Sequence, residues 1–213
     1  MVDIDGPVPS PPAKVDPLCV TWMAGRRLYR VHPEIYEATE FNPGVGRGGR
    51  FHPLADSSGK SIPTLYAADR INGALSETIF HNVVAGGVVL RAQLEDQCIT
   101  EVQLGEDLTL ANLTGNGLRR LGLNRSQLLE CDAAHYASTA QWAEALHKDA
   151  ADIAGLVWVS RQFDTSKAIM IFGDRVGAEP LIAKGDSRPL YKGEGYRLVQ
   201  RVAAEAGITL VEA

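Results

Sequence analysis

The sequence predicts an α+β fold built on a mixed β-sheet. Short apolar runs of strand length are interspersed with segments of helical spacing. No regular strand–helix–strand rhythm joins them, which argues against a doubly wound parallel sheet. The chain has 213 residues, 45% apolar and 22% charged, enough to bury a core without disulfide staples.

The opening stretch "MVDIDGPVPSPPAKVDP" is acidic and proline-rich, and it lacks the basic start and apolar run of a secretory signal. Residues 1–20 therefore read as a flexible N-terminal extension and residues 21–213 as one globular domain. "RRLYRVH" alternates, with Leu28, Arg30 and His32 on one face and Tyr29 and Val31 on the other, which predicts a strand. Residues 33–50 are rich in proline and glycine and read as irregular. "IPTLYA" predicts a strand and leads into a helix that Asp69 can cap, with Ile71, Ala74, Leu75, Thr78 and Ile79 along its packing stripe.

"GGVVLRAQLE", "CITEVQLG" and "DLTLANL" follow as strands. Ser126 to Lys148 reads as one long helical segment, with "SQLLE" as its cap. "GLVWVS" and "KAIMIF" are apolar throughout, as strands buried on both faces would be. "GEGYRLVQRVAAEAG" predicts a helix stopped at Gly207, and "ITLVE" a closing strand.

A formal net charge of −5 argues against nonspecific binding to nucleic acid or to an anionic membrane surface. No stretch approaches the roughly 20 apolar residues that cross a bilayer. Cys19, Cys98 and Cys131 are odd in number and have no zinc-ligand spacing, so they read as buried, reduced thiols suited to a cytoplasm. The histidines form no HExxH pair, and no metal site is expected.

Some residues fall outside the packing pattern. At about 100° per residue, Glu77 lies away from its helix's apolar stripe, with Gly73 one turn before it and His81 one turn after. A glycine beside a carboxylate leaves room for a ligand; the alternative is a solvated glutamate facing Arg70 or His81. Arg47 and Arg50 sit in "NPGVGRGGRF", where glycines let backbone N–H groups approach an anion and guanidinium grips phosphate through two parallel bonds. The loop matches neither a Walker nor a Rossmann fingerprint, and a plain flexible turn has the same composition. Tyr66 closes a strand, where it either packs or stacks on a flat heterocycle. Ser160 ends an apolar strand without a GxSxG elbow, which suits an edge serine or a positioning group better than a nucleophile.

Taken together, "LYRVH", "NPGVGRGGRF", "TLYAADRINGALSETIFH" and "GLVWVSRQFDTSKAIMIF" resemble the RES domain family, in order over roughly residues 25–175. The resemblance implies an ADP-ribosyltransferase-like fold. It implies a toxin of a toxin–antitoxin pair that consumes NAD+ as substrate, by hydrolysis or by phosphorolysis with phosphate as co-substrate, and needs no further cofactor. It implies an Xre-like antitoxin as partner and makes a homodimer plausible. Residue by residue, Arg30 and Arg50 would face the dinucleotide phosphates or an attacking phosphate, Tyr66 would flank the nicotinamide, and Glu77 and Ser160 would be the family's acidic residue and serine. Arg47 receives no role. The stretch 105–150 is longer than a compact RES domain needs and would reshape the cleft mouth or the partner surface. A rival reading, transfer of ADP-ribose to a protein or nucleic acid, uses the same arginine, tyrosine and glutamate; a second, catalytically silent binding of a nucleotide or partner, is opposed by the intact set Arg30, Arg50, Tyr66, Glu77 and Ser160.

Overall fold

The computed structural model describes residues 8–46, 48–84, 86–176 and 180–212. The N-terminal part contributes β1 (Cys19–Trp22), β2 (Arg27–Pro33), a small hairpin of β3 (Leu54–Ala55) and β4 (Ser61–Ile62), and β5 (Thr64–Ala68). Next come α1 (Ile71–Ser76), β6 (Val88–Leu90), β7 (Gln97–Leu104) and β8 (Leu108–Asn112). Three helices follow, α2 (Gly115–Arg120), α3 (Arg125–Leu128) and α4 (Tyr136–Asp149). The chain then forms β9 (Gly155–Val159), β10 (Lys167–Phe172), β11 (Leu181–Pro189), α5 (Gly193–Glu205) and β12 (Thr209–Val211).

Among the described residues the main sheet has eight strands in the order β1-β8-β9-β10-β5-β2-β7-β11. Only β8 and β9 run parallel; the other neighbours are antiparallel. The α+β class expected from the irregular rhythm is what the structure shows. The β5–β2 joint is narrow, with the single register pair Tyr29↔Ala68, so the sheet opens there into two halves.

Alternation along the central strands explains their uninterrupted apolar runs. Leu156, Trp158, Ala168, Met170 and Phe172 face a core closed by α2, α3 and α4, including Leu118, Leu128, Trp142 and Leu146. Val157, Ile169 and Ile171 face a second core with Trp22, Leu28, Leu65 and Leu104. A third core packs Leu75 of α1 and Leu198, Val199 and Val202 of α5 against Ile99 of β7.

Several local expectations are corrected. Residues 8–18 are not loose: Val15 is buried, its N–H bonds to Asp149, and the Trp142 indole donates to the Pro9 carbonyl. The expected boundary at residue 20 falls inside β1, at the edge of the sheet. Asp69 does not cap α1, because its carboxylate accepts from the Lys167 N–H, the Ser166 hydroxyl and Arg26. The helix around Glu77 is shorter than its stripe suggests and ends at Ser76.

The segment 126–148 is not one helix. Its cap is Asn124, which exchanges hydrogen bonds with Gln127. α3 stops at Leu128, whose carbonyl accepts from the Arg50 guanidinium instead of continuing the helical ladder. Of the cysteines only Cys98 is buried; Cys19 is exposed and Cys131 half-buried, and all are free thiols.

Candidate active site

Glu77 sits immediately after α1, as its C-terminal cap residue. Its Oε1 accepts from the Ser160 hydroxyl at 2.6 Å and from the Arg161 backbone N–H at 2.8 Å. Ser160 is fully buried at the end of β9, and its N–H bonds to the Ser166 carbonyl across the connection to β10. Arg125 fixes that strand end from the other side, donating to the carbonyls of Val159 and Ser160. Glu77 itself is partly exposed. Its Oε2 has no protein hydrogen bond among the described residues, which leaves one oxygen held and the other available.

Gly73 plays a different part from the one its spacing suggests. A Cβ at this position would overlap the Ser166 side chain. The glycine therefore lets α1 approach the β9–β10 connection and so brings Glu77 to Ser160; the space beside it is filled by protein.

Tyr66 projects from β5 with its ring edge-on to Trp158 and His52. Its hydroxyl accepts from the Phe51 N–H at 3.1 Å and lies 3.1 Å from His52 Nδ1. Burial pushes its pKa up, beyond what the Phe51 N–H and the Arg50 charge bring down, so it stays a neutral phenol.

Arg50 comes from the glycine-rich loop. Gly49 and His52 form a tight two-way backbone bridge around it, and a Cβ on Gly49 would collide with the His52 ring. The Thr139 hydroxyl of α4 holds the Arg50 carbonyl. The guanidinium is buried, 5.4 Å from the Tyr136 ring centroid, with Nη1 donating to the Leu128 carbonyl at 3.3 Å. Its Nη2 is buried with no hydrogen-bond partner among the described residues. A buried charged donor left unpaired costs about 1–3 kcal/mol or more, which points to an acceptor supplied from outside the protein.

His81 completes the cluster. Its Nε2 is 2.8 Å from the Tyr136 hydroxyl, and its Nδ1 is buried without a partner among the described residues. Burial lowers its pKa, opposed by the Glu77 charge and reinforced by Arg50 and Arg161.

The structure thus brings Glu77, Ser160, Tyr66 and Arg50 to one face of the sheet, and it adds His81, Tyr136, Arg125 and the Arg161 amide. The sequence placed His81 beside Glu77 by helical spacing but gave no signal for Tyr136 or Arg125. Both lie in the long 105–150 stretch, which closes over Arg50 and His81.

Arg30 is not brought to this cluster. The Tyr29↔Ala68 pair puts Tyr29 on the same face as Ala68, and hence as Tyr66 two residues away. Arg30 therefore points to the opposite face, where it donates to the carbonyls of Glu37 and Ala38. Burial lowers its pKa to about 10, partly offset by Glu40. Arg47 lies outside the described residues. The described residues hold no cluster of metal-ligating side chains, and none of their helices is long and apolar enough to cross a membrane.

Residues 27–191, more than half of the chain, match the model of the RES domain. The chain belongs to the RES domain family. The crystal structure of the M. tuberculosis MbcT–MbcA toxin–antitoxin complex contains a chain that superposes with a TM-score of 0.62 at 18% identity, covering 86% of this chain and 92% of that one. At that identity the likeness shows a shared fold. No curated protein matches the chain by sequence.

Proposed function

We propose that this RES protein cleaves the nicotinamide–ribose bond of NAD+ and acts as the toxin of a toxin–antitoxin pair. The observation that carries the reading is the half-held carboxylate of Glu77 together with a buried Arg50 with an unpaired donor, the charges of both acting on His81 and Tyr66. Nicotinamide in NAD+ is already a cationic leaving group and needs no strong acid to depart. What the reaction requires is stabilisation of the positive charge that spreads over the ribose as the bond breaks.

In the proposed arrangement Ser160 and the Arg161 amide fix Glu77 Oε1, so Oε2 faces the ribose, holds a hydroxyl and meets the developing cation. Such preorganised charge is typically worth about 10²–10³ in rate. The Tyr66 ring flanks the nicotinamide, and its neutral hydroxyl is committed to Phe51 and His52, so it orients without acting as a base. Arg50 Nη2 anchors phosphate oxygen, so that binding of the unreactive half of NAD+ positions the reactive half. Arg30 is left to hold the turn at Glu37 and Ala38.

Membership of the RES family and the fold shared with a chain from a toxin–antitoxin complex support a toxin role with an antitoxin partner; the proposal takes that partner to be Xre-like and the setting to be cytoplasmic. The test is product analysis of NAD+ incubated with the purified chain, with and without inorganic phosphate. Free ADP-ribose identifies water as the acceptor, and its phosphate ester identifies phosphorolysis. Unchanged NAD+, or label carried from NAD+ onto lysate macromolecules, refutes the cleavage reading.

A further inference from the structure

A second concave site lies at the start of β2 and α1, and its lining includes none of Glu77, Arg50, Tyr66 and Ser160. It is a cleft of about 610 Å³ lined by Arg26, Arg27, Arg70 and Arg201 and by one carboxylate, Asp69, with Tyr29 and Phe163 among its walls. The guanidinium groups come from β2 and the residue before it, from the turn entering α1, and from α5. This concentration of positive charge runs against the chain's overall balance of −5.

The nearby carboxylates are already engaged. Asp69 is tied to Ser166 and Lys167 and pairs with Arg26 at 3.3 Å, Glu101 pairs with Arg27 at 3.4 Å, and Glu205 accepts from Asn72 at 2.8 Å. Arg70 and Arg201 are exposed, and their side chains have no hydrogen bond or ion pair among the described residues. Arg26 is held against the Trp22 ring, 3.9 Å from its centroid, and its Nε is buried without an acceptor. Arg26 and Arg27 therefore have counter-charges, whereas Arg70 and Arg201 have none among the described residues, and an anion in the concavity would supply one. Guanidinium forks match the paired oxygens of a phosphoryl group. The volume lies within the range of about 300–1,000 Å³ typical of small-molecule sites, and the two aromatic rings give a flat heterocycle something to lie against.

We propose that this cleft binds the phosphate or diphosphate group of a nucleotide-sized small molecule, separately from the NAD+ cleavage site. The inference does not rest on the cleavage reading. The full chain is titrated by calorimetry with ADP and, in a separate arm, with inorganic pyrophosphate. The double variant Arg70→Ala/Arg201→Ala and the single variant Arg50→Ala are measured beside it. Arg70 and Arg201 are exposed and unpaired, so the double variant is expected to fold and to turn over NAD+ at the parental rate.

Saturable ADP binding that weakens at least tenfold in the double variant and persists in Arg50→Ala supports the proposal. Tighter binding of ADP than of pyrophosphate assigns the site to an organic phosphate; equal binding assigns it to the free anion. No saturable binding of either probe, or equal affinity in the parental chain and the double variant, overturns it. So does loss of binding only in Arg50→Ala, which would place the anion at the cleavage site. Tighter capture of a glutamate-rich peptide than of either phosphate would overturn it as well, by making the cleft a protein-docking surface.

Discussion

At the scale of single residues, the two oxygens of Glu77 have different environments, and that difference organises the site. Ser160→Ala removes one of the two donors to Oε1. A hydrogen bond to a charged group contributes about 1.5–3 kcal/mol, so NAD+ turnover should fall by roughly tenfold or more while the fold is kept. Parental turnover in Ser160→Ala would show that the bond does not position the carboxylate. Arg50→Ala should weaken NAD+ binding far more than Cys131→Ala, and equal affinities by calorimetry would remove the anchoring role.

Protonation supplies a third residue-scale expectation. Burial lowers the pKa of both His81 and His32. An unfolded histidine takes up its proton near pH 6.5, whereas these two take theirs up only at lower pH when folded. Above about pH 6.5 neither state is protonated and their contribution to stability is complete. Below it the unfolded chain binds protons that the folded chain does not, and stability falls. The urea midpoint should therefore drop between pH 7.5 and 5.5, and His81→Gln should flatten part of that slope; a slope unchanged by the substitution would contradict the buried neutral state of His81. Spacing alone marked Glu77 as off the packing stripe, and the family motif marked Ser160. Neither could show that the two touch, because the contact spans two elements far apart in sequence.

At the scale of elements, the packing of α1 on the β9–β10 connection holds Glu77 in place. Gly73→Ala would drive a methyl group into Ser166. We expect it to destabilise the chain by about 1–3 kcal/mol, as overpacking does, and to lower NAD+ turnover by moving Glu77 from Ser160. Adding Ser166→Gly should restore part of both losses. If the double variant is no better than Gly73→Ala, the close approach is not what places the helix.

The same close approach explains an expectation that failed. A glycine in a helix pattern beside a carboxylate reads equally well as room for a ligand and as room for a neighbour. The neighbour here, Ser166, lies 93 positions further on. β11 carries no strand signal in the sequence because it is an exposed edge strand of small and charged residues with no apolar rhythm. The break between α3 and α4 is equally hidden, since the contact that accompanies it, from Arg50 to the Leu128 carbonyl, joins segments far apart in sequence.

At the scale of the whole molecule, the face of the sheet decides which residues can cooperate. The buried strands β9 and β10 and the amphipathic α5 were plain in the sequence, because apolar runs and helical stripes are local signals. The sharing of one face by Tyr66, Glu77, Ser160 and Arg50, and the exclusion of Arg30 from it, depends on strand order and on the register pair Tyr29↔Ala68, which no local pattern encodes.

Residues 8–18 belong to the folded body as well. Deleting residues 1–17 would lose the burial of Val15 and the Trp142–Pro9 hydrogen bond. Together these contribute about 2–3 kcal/mol. At about 2–4 °C per kcal/mol for a chain of this size, the melting temperature should fall by roughly 5–10 °C. An unchanged melting temperature would mean that the segment only rests on the surface.

The account stands most directly on the charge at position 77. Parental protein and Glu77→Gln, matched for melting temperature, are each supplied with NAD+, and its disappearance is followed against time. A rate about 10²–10³ lower in the variant is the expected result, since the amide keeps the shape and discards the charge proposed to steady the ribose cation. Equal rates would contradict it.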